Sequence, residues 1–358
     1  MENVAHSLLG LALARTGLDR RDALVAPTLV LAANLPDIDT IGAVFGGKTW
    51  YLIHHRGLTH GALGIALQIP LFALLVHVVA RWAGRRARLG PLLAASALGL
   101  ISHPLLDALN TYGVRPFIPF DWTWYYGDVA FILDPWLWLL FGAAACLGGN
   151  VERGTRRARH GDAAWLTFGL LAASILFAMG PTRGAPRAAA IVWAVGAAIV
   201  AALRVRGLGG AKGAGLALGL SARYLAGLCA ASRVALHRGL AEARGAEMQP
   251  TESSSSPQPM IPWRFDVVAG DRSALRRIRV DLLAGTTRAT NTIVRNLDDP
   301  VLRRPEIVET PEYEAWRRFA RHPYAAADAE GRLVLGDARY EMRPVLTFCS
   351  FRFAMPER

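Results

Sequence analysis

Residues 54–80 read HHRGLTHGALGIALQIPLFALLVHVVA. The second part, Ala62–Ala80, is an apolar run of nineteen residues. A helix rises 1.5 Å per residue, and about 20 apolar residues cross the roughly 30 Å hydrocarbon core of a bilayer. The run therefore predicts a membrane span. The first part sets three imidazoles and a guanidinium within seven residues at the threshold of that span. Ionisable groups in such a place are costly and mark a working site. The stretch predicts a helical membrane protein with a polar site at the membrane edge.

Further spans are expected at Leu92–Leu109, Leu133–Leu147, Ala163–Gly180 and Ala188–Leu203. Ala214–Leu236 is a sixth candidate, a span or an interfacial helix, since it carries Arg223 and Arg233. Ser7–Leu18 and Ala23–Ala33 are too short to cross and are expected to be re-entrant or packed against the spans. The net charge is +12, almost wholly from arginine, with lysine only at Lys48 and Lys212. A basic chain of this kind could bind nucleic acid. The arginines, however, cluster at 81–90, 151–162 and 204–213, between apolar runs, which is the pattern of cytoplasmic loops. No nucleic-acid partner is expected. This orientation puts the aromatic stretch 110–132 on the outer face, lying on the bilayer. No basic segment precedes an apolar run at the N-terminus, so a cleaved signal peptide is not expected.

Residues 241–262, with the run Ser253–Ser256, have the composition of a linker. Beyond it, strands are expected at Trp263–Gly270, Arg276–Leu283, Leu333–Leu335 and Val345–Phe353, and a helix at Glu312–Arg321. The expected architecture is mainly α: a polytopic helical membrane domain over 1–240, a linker over 241–262 and a small soluble α+β domain over 263–358. Cys146, Cys229 and Cys349 form no disulfide or metal pattern and are read as buried thiols.

Imidazole and carboxylate are the ligand types of zinc and similar ions. In His103-Pro104-Leu105-Leu106-Asp107 the spacing i, i+4 puts His103 and Asp107 on one helix face. Proline suits a first turn, so His103 is expected at a helix start. Pro36-Asp37-Ile38-Asp39 brings two carboxylates together, which repel unless a cation neutralises them. His54, His55 and His60 add three imidazoles, Arg56 a planar fork for a phosphate or carboxylate, and His6 a further donor. Under the topology above, the clusters at 54–60 and 103–107 both fall at the outer membrane edge.

Ala5-His6-Ser7-Leu8-Leu9-Gly10, Leu35-Pro36-Asp37-Ile38-Asp39, His55-Arg56-Gly57-Leu58-Thr59-His60 and Ser102-His103-Pro104-Leu105-Leu106-Asp107 together resemble the motifs of the YdjM-like family of inner-membrane, metal-dependent hydrolases. The resemblance covers about residues 1–180 in order and spacing. Leu335-Gly336-Asp337-Ala338-Arg339-Tyr340 resembles the tail of longer members. The family is similar, distantly, to the zinc phospholipase C and nuclease class, which uses a His-x-x-x-Asp pair like His103 and Asp107. The resemblance implies hydrolysis, of a phosphoester in a lipid or lipid-linked substrate at the inner membrane. The expected site holds one or more divalent ions, zinc first among them, through His6, Asp37, Asp39, His60, His103 and Asp107, with His54 or His55 completing the shell. Asp37 or Asp39 is the expected general base, and Arg56 the partner of developing negative charge. Two rivals stand beside this reading: a non-enzymatic membrane protein with a structural metal, and, third, a transporter. The transporter would need ionisable groups in several spans, and the third to fifth have almost none.

Overall fold

A computed structural model describes residues 1–148, 156–179 and 187–354. Residues 149–155 and 180–186, which carry part of an expected arginine-rich loop and most of an expected outer loop, lie outside the described residues. The chain forms two compact units. One comprises Met1–Pro36, Leu58–Leu228 and Pro259–Pro262, the other Asp37–Gly57, Cys229–Gln258 and Trp263–Arg358.

The first unit is helical: α1 (Asn3–Ala14), α2 (Val25–Ala32), α4 (Ala62–Trp82), α5 (Leu89–Asp107), α6 (Pro135–Leu147), α7 (Arg156–Met179), α8 (Arg187–Val205) and the first part of α9 (Ala211–Gly245). Among the described residues, α4, α5, α8 and α9 are long and apolar enough to cross a membrane. The expected third span, α6, has 13 residues and reaches about 20 Å, short of the roughly 30 Å core. Its start is fixed by Asp134, whose carboxylate caps Trp136 and Leu137 and accepts a hydrogen bond from the Tyr224 hydroxyl of α9 at 3.0 Å. Glu2 does similar work for α1: it accepts from the Val4 and Ala5 amides and from the Trp138 indole of α6.

Two glycines set how closely the N-terminal helices approach. A Cβ at Gly10 of α1 would lie 2.9 Å from the Leu29 carbonyl oxygen of α2. One at Gly99 of α5 would lie 2.6 Å from the Ala32 side chain and 2.9 Å from the same carbonyl. Small residues at these crossings let α1 and α5 press against α2. Gly10 is one turn after His6, and Gly99 one turn before His103. The close packing therefore delivers the two histidines.

In the second unit, α3 (Ala43–His54) packs against α11 (Pro311–Phe319). Lys48 of α3 donates to the Ser350 carbonyl at 2.5 Å and lies over the Phe351 ring. One sheet has the order β1-β2-β3-β4 (Glu252–Gln258, Ile261–Gly270, Ala274–Asp281, Thr286–Val294), and a second β5-β6-β7 (Pro323–Ala327, Leu333–Asp337, Phe351–Phe353). The β2–β3 pairing is antiparallel, and its register places Arg264 opposite Asp281 and Asp266 opposite Arg279. Both pairs form ion pairs at 2.9 Å. The Trp316 indole of α11 donates to the Gly336 carbonyl of β6 at 2.8 Å.

Several expectations are corrected. The stretch read as a linker holds the end of α9 and strand β1. Ser254 and Ser255 are buried there, and the Ser254 hydroxyl reaches His322 at 2.9 Å. Serine is small enough to enter the core once its hydroxyl is paired. Strands β4 and β5 were not expected. Val345–Phe353 is a strand only over Phe351–Phe353, because turns tie Val345 to Arg343 and Ser350 to Thr347. His103 does not begin a helix: Pro104 sits in the last turn of α5, where the apolar run upstream carries the helix through and one lost N–H is tolerated. Cys146 and Cys349 are buried, but Cys229 is exposed.

Candidate metal centre

Within the first unit, α1, α5 and the turn before α4 converge on Asp107. His6, His60, His103 and Asp107 are each at most 1% exposed. The i, i+4 spacing works as expected, with His103 Nε2 3.4 Å from Asp107 Oδ2. His60 Nε2 lies 3.6 Å from the same oxygen, and His6 Nε2 3.4 Å from Oδ1. The two Nε2 atoms of His60 and His103 face each other at 3.1 Å, and the His6 and His103 rings stack with centroids 3.8 Å apart.

The tautomers follow from the outer hydrogen bonds. His103 Nδ1 meets the Ala33 carbonyl at 2.7 Å, and a carbonyl only accepts. The proton is therefore on Nδ1, and Nε2 turns a lone pair toward His60 and Asp107. His60 Nδ1 is engaged by the Thr59 hydroxyl at 3.0 Å, which also leaves Nε2 to face inward. The His103 lone pair and the Asp107 carboxylate meet in a dry site, where they repel unless a cation or a donated proton stands between them.

The donor set fits a divalent ion. Ligand atoms 2.0–2.1 Å from a tetrahedral zinc lie about 3.3 Å apart, and the separations among His60 Nε2, His103 Nε2 and Asp107 Oδ2 run from 3.1 to 3.6 Å; His6 Nε2 faces the other oxygen, Oδ1.

The other expected residues belong to the second unit. Asp39 Oδ1 is 2.9 Å from His55 Nδ1, and its Oδ2 accepts the Arg56 main-chain N–H at 3.2 Å. Arg56 has φ +57°, in the left-handed region that side chains rarely adopt, and is 1% exposed. The Asp39 carboxylate holds this turn. The His55 ring stacks on Tyr51. Asp37 is half-buried on the short helix Leu35–Gly42, and its carbonyl accepts from the Thr40 hydroxyl. His54 is exposed and lies on Trp50, whereas His55 is buried.

One contributor was missed by sequence reasoning. The Ala33 carbonyl orients His103, and a main-chain group carries no sequence signal.

Neither a curated protein nor a solved structure matches this chain. The family model described as YdjM inner membrane protein matches residues 1–185, a span that contains every one of these histidines and aspartates, and the chain belongs to that family.

Proposed function

We propose that the protein is a membrane-bound, metal-dependent hydrolase acting on a phosphoester of a lipid or lipid-linked substrate. The observation that carries this reading is the convergence of three imidazole Nε2 atoms on the Asp107 carboxylate at the spacing of zinc ligands. His6, His60, His103 and Asp107 would hold the ion. When bound, such an ion lowers the pKa of a coordinated water to about 7 and polarises the scissile group. The His103 ring is fixed in its acceptor tautomer by Ala33. Asp39 is committed on both oxygens, to His55 and to the Arg56 amide, and acts as a positioning residue for the Arg56 turn. Asp37 is then the better candidate for the general base or a further ligand. Arg56, permanently charged and planar, suits an anionic phosphoryl group.

One observation favours the structural-metal reading. His60, His103 and Asp107 would, with His6 as a fourth ligand, close a tetrahedral shell, whereas a catalytic zinc keeps an open position. The deciding experiment measures turnover of a panel of phospholipids and phosphodiesters by zinc-loaded protein in liposomes. We expect Arg56→Ala to lose turnover by about 100-fold or more with its metal retained. Asp37→Asn should lose turnover with metal retained if Asp37 is the base, and lose both if it is a ligand. Metal bound at full occupancy with no turnover on the whole panel would leave the structural reading.

A further inference from the structure

A cavity of about 300 Å³ lies in the first unit between α1, α6, α7 and the end of α8. It is large enough for part of a ligand. Its walls are apolar: Leu8 and Leu11 from α1 face Trp165 and Phe168 from α7. On α1 the lining residues Leu8, Leu11 and Arg15 follow one face, and seven residues of helix extend about 10 Å. At one end of this slot stand Arg15 and Arg204, and no acidic residue is among its described lining residues.

The arginine end is a place where three helices finish. Arg15 is the C-cap of α1, and Arg204 lies in the last turn of α8 and donates to the Cys146 carbonyl in the last turn of α6. Arg15 pairs with Asp19 at 2.9 Å through one terminal nitrogen. Its Nε–H is buried and makes no hydrogen bond, which leaves a desolvated donor at the cavity. Arginines at helix C-termini can serve as caps alone. Caps alone do not call for a 300 Å³ apolar slot beside them.

We infer that this cavity binds an anionic phospholipid, with the phosphate at Arg15 and Arg204 and part of an acyl chain between α1, α6 and α7. Basic pockets between membrane helices on the cytoplasmic side take such headgroups. The arginine end borders the 204–213 loop, one of the segments whose charge marks that side: the Gly210 amide donates to the Leu147 carbonyl at the end of α6. The site is separate from the His/Asp cluster and does not depend on hydrolase activity.

The test is native mass spectrometry of the full-length protein in detergent, titrated with phosphatidylglycerol or phosphatidylcholine. Phosphatidylglycerol should be retained about thirtyfold better, from two arginines at about 1 kcal/mol each near a charged headgroup. Arg15→Gln with Arg204→Gln should erase the difference. Ala164→Leu keeps both arginines but fills the slot, and should weaken both lipids. Circular dichroism and a monodisperse elution on size exclusion report that each variant is folded. Inorganic phosphate should not displace the lipid. Equal retention of both lipids overturns the proposal. So does a preference that survives the arginine substitutions, or retention of both lipids that Ala164→Leu leaves undiminished, which would make it a surface headgroup contact.

Discussion

Asp107 is a carboxylate closed off from water with three imidazoles around it, and that environment fixes what its replacement does. Asp107→Asn keeps the shape and removes the charge that a divalent ion needs. His103→Ala removes a ligand and strands the Ala33 carbonyl. Both should lower metal per protein, measured by elemental mass spectrometry, to near background, by well over the 10–100-fold that loss of an outer partner costs. Full occupancy in both would end the metal reading. Asp337 poses the opposite case, a carboxylate matched by a permanent cation. It is buried with Arg339, which donates at 2.7 Å, and accepts the Arg321 amide at 2.9 Å. Burial pushes the Asp337 carboxyl up, but the Arg339 charge and hydrogen bonds outweigh it and hold the carboxyl below its ordinary range. A carboxyl with a depressed native pKa contributes stability that is present above its unfolded value of about 3.9 and is lost as pH falls through the native value. Hydrogen exchange of residues 323–340 should therefore rise on acidification below about pH 4. Asp337→Asn should flatten that acid dependence and destabilise the region by about 3–5 kcal/mol at neutral pH, because it leaves Arg339 buried and unpaired.

Helix approach governs whether the ligands meet at all. Gly99→Val would force α5 away from α2, at about 1–3 kcal/mol for overpacking, and should lower metal occupancy although every ligand remains. Gly90→Val, on the same helix with nothing within 4 Å of its Cβ position, is the control and should retain metal. Equal occupancy in the two variants would detach the glycine contact from the site. These contacts were not readable in advance, since glycine is frequent in membrane helices and nothing in one sequence says which glycine meets which carbonyl. The apolar runs were readable, because membrane helices are set by length and hydropathy. So was the His103–Asp107 pair, because i, i+4 geometry is local. The placement of Asp37–Gly57 with the C-terminal residues was not. It rests on contacts such as Lys48 with Ser350, about three hundred positions apart. The serine run failed as a linker signal because composition reports average solvation, whereas β1 is held by specific partners.

At the scale of the whole chain, the second unit constrains the membrane topology by itself. Helix α3 packs against α11, so residues 43–54 and 311–319 are expected on one side of the membrane. The chain between them must cross an even number of times. Helices α4, α5, α8 and α9 are long enough to cross; α6 and α7 must then either both cross or both stop short. By the positive-inside rule the arginines of 81–88 are expected to lie in the cytoplasm, and an even count would then bring residues 252–354 to the outer face. In a protein whose Cys146, Cys229 and Cys349 have been replaced, an impermeant thiol reagent on intact cells should label Ala284→Cys, in the exposed turn between β3 and β4. It should also label Phe120→Cys, which is 85% exposed, and should leave Ala87→Cys unlabelled until the membrane is opened. Labelling of Ala87→Cys with protection of the other two would invert the molecule and bring the His/Asp cluster to the cytoplasmic side. Opposite behaviour of Ala284→Cys and Phe120→Cys would break the even count itself, and with it the α3–α11 packing from which the topology follows.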